Sequence, residues 1–233
     1  MKTLVIIPAY NEQDNIKRVV DGLIKTFNEN CQLDYIIIND GSSDNTSRIC
    51  HENNYNIIDL PINLGLAGAF QTGLKYAEQM GYDRAIQFDA DGQHLPQFIE
   101  PMIKAMEMRN ADIVIGSRFV TKKKPKSLRM TGSYLIAFAI FLTTGKLLTD
   151  PTSGMRLFNR EMIKEFAADA NYSPEPDTIS YLMKNGAKVE EVQVSMAPRI
   201  AGESYLNLSN SIKYMIRMAF SIVLIQWFRK RKR

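Results

Sequence analysis

The apolar positions fall into two patterns that alternate along the first half of the chain. Leu4-Val5-Ile6-Ile7 is an unbroken apolar run, as expected of a strand covered on both faces. Ile16, Val19, Val20, Leu23, Ile24 and Phe27 then recur at helical spacing, predicting a helix from a cap at Asp14 or Asn15 to about Asn28. Tyr35-Ile36-Ile37-Ile38 is a second strand, and the polar turn Asn39–Thr46 feeds a helix capped near Asp44. A short strand follows at Asn56–Leu60. Asn63–Ala69 opens a helix that carries Gly73 and ends near Gly81. Arg84–Phe88 is a strand with Ile86 and Phe88 on one face, Pro96 starts a helix to about Arg109, and Asp112–Gly116 is the next strand. Strand alternating with helix predicts an α/β fold, with an open, mostly parallel sheet and helices on both faces.

The second half changes character. Met130 to Gly145 contains no charge, yet it is shorter than the roughly 20 apolar residues of a spanning helix. A last helix is predicted at about Leu208–Phe228, interrupted by Lys213 and Arg217, with only Met218–Phe228 strongly apolar. Both read as helices lying in a membrane interface, where Tyr134 and Trp227 suit the headgroup zone. The competing reading is that both are core or oligomer-interface helices.

Charge favours the membrane reading. The net charge of +4 hides two basic clusters, Lys122, Lys123, Lys124, Lys126 and Arg129, and then Arg229 to Arg233. Without those ten residues, 19 basic side chains stand against 25 acidic ones. Both clusters flank long apolar stretches, which points to anionic lipid. No basic face with interleaved aromatics appears in the remainder, so no nucleic-acid partner is expected. The 233 residues, 45% apolar, suffice for one large domain or a domain with an appendage. Cys31 and Cys50 suggest no disulfide framework and fit a reducing, cytosolic setting as buried apolar residues. The apolar run after Met1 is too short for a signal peptide.

Candidate chemistry collects at the strand ends, where open α/β sheets bind their ligands. Pro8–Glu12, Asp40, Asp89–Asp91 and Gly116-Ser117-Arg118 all fall there. Asp89 and Asp91 are separated by one residue, so in a continuing strand both would point to one side. Two like charges so close repel unless a cation sits between them, and Mg²⁺ takes carboxylates together with substrate phosphates. Gly92 permits a tight turn, and Gln93 can add a neutral oxygen. Alone, the stretch reads as well as a solvated turn. Tyr10 can stack on a base, Asp40 can accept from a base N–H, and Arg118 can grip phosphate bidentately. Each also has a plainer reading, as a packed aromatic, a turn acid or a surface ion pair.

Val5–Glu12, Asn39–Thr46, Asn63-Leu64-Gly65 and Asp89-Ala90-Asp91 together closely resemble family 2 glycosyltransferases of the GT-A, Rossmann-like fold. The resemblance implies a nucleotide-sugar site of Pro8, Tyr10, Glu12, Ile38, Asp40, Ala90 and Arg118. It implies a Mg²⁺ or Mn²⁺ site of Asp89, Asp91 and Gln93. Asn39 stands where the family often has a second acid. Leu128–Ser133, Tyr134–Leu142, Thr149–Phe158, Pro174–Asp177 and Arg199–Tyr205 are similar to the polyprenyl-phosphate branch, the relatives of dolichol-phosphate mannose synthase. That branch implies inverting transfer of one sugar, UDP- or GDP-linked, to polyprenyl (undecaprenyl) phosphate for cell-envelope glycans. The enzyme would lie peripherally on the cytoplasmic face of the membrane. Arg129 and Ser133 would meet the acceptor phosphate. Asp89, Asp91 and Arg118 form the expected catalytic group, with Asp150 and Asp177 as positioning acids. The expected layout is a catalytic domain over residues 1–205, divided at 120 into nucleotide-sugar and acceptor halves. An amphipathic membrane helix with a basic tail would occupy 206–233. Lacking a full-length spanning helix, the chain would lean on self-association or a small membrane-protein partner.

The rivals differ in testable residues. A dinucleotide oxidoreductase needs a glycine-rich turn after the first strand, where this chain has Pro8–Glu12. A family 2 enzyme acting on a non-lipid saccharide or protein would share the donor site, with no reason for the basic and apolar second half. A non-catalytic membrane scaffold has no need of Asp40, Asp89 and Asp91.

Overall fold

Strand β1, Thr3–Ala9, is buried at every position. Its residues divide by parity, with Leu4 and Ile6 in one core and Val5 and Ile7 in the other. The unbroken apolar run therefore has the predicted cause, a strand covered on both faces. The structure, a computed structural model, describes residues 1–26, 33–125, 127–168, 172–198 and 208–224. Cys31, Lys126, Arg199–Tyr205 and the tail from Ile225 to Arg233, with Trp227 and Phe228, lie outside them, as does the side chain of Arg129.

The elements continue as α1 (Ile16–Thr26), β2 (Leu33–Asn39), α2 (Thr46–Glu52), β3 (Ile57–Asp59), α3 (Gly65–Gln79), β4 (Arg84–Gln87), α4 (Ile99–Arg109) after a 3-10 turn at Pro96–Phe98, and β5 (Ile113–Ser117). Then come α5 (Leu128–Thr144), β6 (Arg156–Asn159), α6 (Arg160–Ala168), α7 (Pro176–Lys184), β7 (Val189–Gln193) and α8 (Leu208–Val223). The sheet has seven strands in the order β3-β2-β1-β4-β6-β5-β7. Helices α1, α2 and α4 supply one core, and α3, α5, α6, α7 and α8 the other. Cys50 is fully buried, and burial pushes its thiol up to about 11, so it behaves as an apolar residue.

Two features were not predicted. Strand β6 enters antiparallel between β4 and β5, pairing Gln87 with Arg156 and Ile115 with Arg156. Strand β7 joins the edge parallel to β5. At four residues beginning with a buried arginine, β6 carries no readable period. Strand β4 also stops at Gln87, so strand alternation does not reach Asp89 and Asp91. Their placement comes from the turn that follows.

Helix α3 lies on β1 because Gly73 has no side chain. A Cβ there would sit 2.3 Å from Cγ2 of Ile6. Gly73→Ala is expected to cost roughly 1–3 kcal/mol through overpacking, measured by urea denaturation. Unchanged stability would mean that α3 shifts freely on the sheet.

Candidate functional site

The loops after β1 and β2 are laced together by short polar side chains. Ser42 Oγ accepts the Asn11 N–H at 2.9 Å, and Asn11 Oδ1 accepts the Ser43 N–H at 2.9 Å. Thr46 Oγ1 accepts the Glu12 N–H at 2.8 Å, and Asp44 accepts from the Thr46 and Gln13 N–H groups. The Asn39–Thr46 turn thus satisfies backbone donors of its neighbour, which is why it is rich in Asn, Asp, Ser and Thr. Pro8, Ile38 and Ala90 are buried beneath, while Tyr10 and Glu12 are half-exposed. Asp40 is buried, with Oδ1 accepting the Leu64 N–H at 2.7 Å beside the start of α3. Asn39, where a second acid is often found, instead donates to Asp59 at 2.6 Å.

The acidic turn is shaped by groups from elsewhere. His94 is buried, its Nδ1 accepts the Asp89 N–H at 2.9 Å, and its Nε2 lies 3.6 Å from Asp89 Oδ2. Nδ1 being the acceptor, the neutral ring carries its proton on Nε2, toward the carboxylate. Gln87 Nε2 donates to Asp89 Oδ1 at 3.1 Å, and Asp91 Oδ1 accepts the Gln93 N–H at 2.9 Å. Gly92 adopts φ +78°, and the Arg18 guanidinium of α1 lies against it. The Asp89 side chain remains about 32% exposed, whereas Asp91 is nearly buried.

The loop from Thr149 to Met155 joins this turn to the end of β5. Asp150, with no exposed side-chain surface, accepts from Arg118 Nε at 2.7 Å and Nη2 at 2.9 Å. Glu191 of β7 holds the loop by accepting the Thr149 and Asp150 N–H groups at 2.7 and 2.8 Å. At the other end, a Cβ on Gly154 would lie 2.8 Å from Asp89 Oδ2. One loop therefore brings the Asp89 and Arg118 strand ends together. Arg156 is buried beneath them, donating to the carbonyls of Pro151 at 2.8 Å and of Pro174. Burial lowers its proton affinity, and Glu175, Asp150 and Asp89 raise it. It is thus a buried cation facing the site acids.

Asp177 belongs to a different contact. Its oxygens accept from the Thr178 N–H and from Ser221 Oγ of α8, and Tyr214 of α8 donates to Glu175. Ser133 is buried on α5, with Lys124 Nζ donating to its Oγ at 3.1 Å. His94, Arg18, Glu191, Gly154 and Arg156 escaped the sequence reading. Of these, His94 lies five residues beyond Asp89, and Gly154 and Arg156 lie within the Thr149–Phe158 stretch.

Among the described residues no group of three or more His, Cys, Asp or Glu side chains is arranged to hold a metal. The donor set is the sparser one that Mg²⁺ or Mn²⁺ accepts when substrate phosphates complete it. Two carboxylates are offered, and the absence of a side chain on Gly154 leaves room beside Asp89.

The sequence profile of glycosyl transferase family 2 matches residues 4–166. The chain belongs to glycosyl transferase family 2. It is a glycosyltransferase of GT-A fold. It is 34% identical over 214 residues to the UDP-N-acetylglucosamine--dolichyl-phosphate N-acetylglucosaminyltransferase of Methanococcus voltae, covering 82% of this chain and 83% of that protein. It is 27% identical over 232 residues to the polyprenol monophosphomannose synthase of Mycolicibacterium smegmatis, covering 94% and 86%. Among solved structures, it resembles glucosyl-3-phosphoglycerate synthase of Mycobacterium tuberculosis, in complex with Mn²⁺, UDP and phosphoglyceric acid. That likeness has a TM-score of 0.70 at 15% identity and covers 99% of this chain and 80% of the other. In this family 2 enzyme, the strand ends described above lie at the carboxyl edge of the sheet, the edge at which open α/β sheets generally bind ligands.

Removing the Asp150 carboxylate leaves the Arg118 guanidinium, the Arg118 backbone N–H and the Thr152 hydroxyl without their acceptor. Asp150→Ala is expected to destabilise by roughly 1–3 kcal/mol, less than the about 3–5 kcal/mol of a fully buried pair because Arg118 reaches water. Chemical denaturation measures this. A loss below about 0.5 kcal/mol, the scatter of an ordinary surface substitution, would mean that the loop is held without Asp150.

Proposed function

We propose that this glycosyltransferase moves one sugar from a UDP- or GDP-linked donor to a polyprenyl phosphate, inverting the anomeric centre, at the cytoplasmic face of a membrane. The observation that carries this reading is the contiguity of two chemistries. The loop that joins Asp89 to Arg118 connects back, through Leu147 and Leu148, to helix α5, which carries no charge from Met130 onward and has exposed apolar side chains. The names of the Methanococcus and Mycolicibacterium relatives support the same acceptor class.

In this reading Pro8, Tyr10, Glu12, Ile38, Asp40 and Ala90 surround the nucleoside. Asp89, Asp91 and Gln93 would hold Mg²⁺ or Mn²⁺, which neutralises charge on the leaving diphosphate. His94 and Gln87 orient the Asp89 carboxylate. Arg118, already fixed by Asp150, presents its remaining N–H donors to a phosphate. The acceptor phosphate oxygen, ionised at neutral pH, attacks without a strong general base, and orientation by Arg118, Arg129 and Ser133 supplies much of the acceleration. Asp177 acts only through α7 and α8. Residues 1–120 form the nucleotide-sugar half, 121–205 the acceptor half and 206–233 the membrane-associating segment. A homo-oligomer or a small membrane-protein partner would add to the anchoring.

No helix among the described residues is long and apolar enough to cross a membrane. Helices α5 and α8 pack closely, since a Cβ on Gly132 would lie 2.5 Å from Met215. Each carries exposed apolar side chains, Leu135, Phe138 and Leu142 on α5, and Ile216 and Phe220 on α8 with Leu224 just past its end. Met215, Met218 and Ile222 of α8 are buried, so removing α8 would uncover the core as well as the membrane face. Point substitutions on the exposed side chains are the cleaner test.

Asp91→Asn is expected to lower turnover by ~100-fold or more, a loss of ~2.7 kcal/mol of transition-state stabilisation. Activity of the wild-type enzyme should vanish in excess chelator and return with Mg²⁺ or Mn²⁺. Full activity in chelator would overturn the metal assignment. A donor panel against undecaprenyl phosphate, read by mass, tests the acceptor class, and transfer only to soluble saccharides or proteins would refute it.

Ile216→Glu with Phe220→Glu is expected to release the protein from anionic liposomes in co-sedimentation and to leave nucleotide affinity unchanged. Each large side chain contributes about 1.5–3 kcal/mol at most when buried. Undiminished pelleting of the double variant would assign attachment elsewhere.

A further inference from the structure

Three side chains link the loop after β1 to the acidic turn after β4. Glu12 stands in the first of these, its N–H held by Thr46 Oγ1. Its Oε2 accepts from Asn15 Nδ2 at 2.8 Å. Asn15 is only 2% exposed, and its Oδ1 accepts from Arg18 Nη2 at 3.1 Å. Both ends of the buried amide are therefore engaged, which fixes its orientation.

The chain ends on the acidic turn. A Cβ on Gly92 would lie 2.4 Å from Arg18 Nη2 and 3.0 Å from Nη1, so the guanidinium fork lies against this residue. Gly92 is the residue enclosed by the hydrogen bond from the Gln93 N–H to Asp91 Oδ1. Glycine meets two demands there, a φ of +78° and space for Arg18. The donor chemistry proposed above uses Glu12, Asp91 and Gln93 and assigns no role to Asn15 or Arg18.

Charge makes this chain stiff. A carboxylate stands at one end of the Asn15 amide and a guanidinium at the other, so each hydrogen bond involves one ion and is of the stronger kind. Buried as it is, Asn15 has little water to replace a lost partner. A displacement of Glu12 is therefore passed on to Arg18 and to the turn it touches.

We infer that Glu12, Asn15 and Arg18 couple the nucleoside end of the donor site to its metal end. Asn15 and Arg18 are positioning residues, acting through Glu12 on one side and Gly92 on the other. A nucleoside that fixes the Glu12 carboxylate also fixes Asn15 and Arg18, and with them the turn that presents Asp91 and Gln93. Occupancy of the nucleoside site then raises metal affinity, and by linkage the effect is reciprocal. The coupling rests on the donor site proposed above.

The test must separate coupling through the protein from direct contact between metal and diphosphate, and a nucleoside has no phosphate with which to touch Mn²⁺. The Mn²⁺ affinity of the full chain, read from the EPR signal of the free ion, is measured with and without uridine if UDP binds, or guanosine if GDP binds. In the wild type the nucleoside should raise Mn²⁺ affinity about 5-fold or more. Arg18→Met, at an exposed residue, should bring that ratio to about 1. Loss of one charge alters Mn²⁺ affinity alike with and without nucleoside, so the ratio reports the coupling alone. Lys17→Met removes the same charge one residue away, where the lysine pairs with Asp21 and Asn53, and should keep the full ratio. An unchanged Mn²⁺ affinity in the wild type, or a ratio that survives in Arg18→Met, would overturn the inference. So would a loss in Lys17→Met equal to that in Arg18→Met. If UDP or GDP binds with Mn²⁺ and the nucleoside has no effect, the coupling falls and the donor site stands. If neither diphosphate binds, the donor site falls and the coupling with it.

Discussion

The ion pair between Arg118 and the fully buried Asp150 is the interaction on which the site depends. A buried carboxylate without partners would be costly, and here Arg118 takes both oxygens. Glu191 holds the same residue from behind through its backbone N–H. The Thr149–Met155 loop is therefore pinned at its start, and at its other end Gly154 lies against Asp89. An acid from the end of β4 and an arginine from the end of β5 are held in one place, although β6 separates their strands in the sheet.

The insertion of β6 explains why this loop exists. A chain that leaves β5, forms α5 and returns antiparallel must cross the carboxyl ends of β4 and β5 before it pairs with them. Arg156 begins that strand and is buried under the crossing, donating to Pro151 on one side and Pro174 on the other. Its charge faces Glu175, Asp150 and Asp89. This buried positive charge offsets part of the repulsion among those acids.

The same helix serves two boundaries. On α5, Ile136 and Ile140 are buried in the core, while Phe138 and Leu142 face outward. An uncharged run of residues does not reveal this division of labour, because both faces are apolar and only packing distinguishes them. Helix α8 repeats the division, with Met215 packed on Gly132 and Phe220 outside.

Much was legible in the residues themselves. The run Leu4–Ile7, the helical spacing of Ile16 to Leu23 and the polar turn Asn39–Thr46 predicted elements that the structure contains, because these signals are local. The family resemblance rested on the same segments. Other features depended on residues far apart in the chain. Whether Asp89 and Asp91 lie on a strand was decided by where β4 loses its partners, after Gln87. His94 carries no local signal of its role, which folding creates by bringing its Nδ1 to the Asp89 N–H. Arg118 could be read as a phosphate ligand or as an ion pair, and only the return of β6 brought Asp150 to it. Lys124 was one basic residue among five until burial between Phe119 and Tyr134 set it apart from its neighbours. Sequence determines hydrophobic period and turn chemistry, which act over a few residues. Tertiary structure decides which charges lose water together, and that depends on long-range packing that no local pattern encodes.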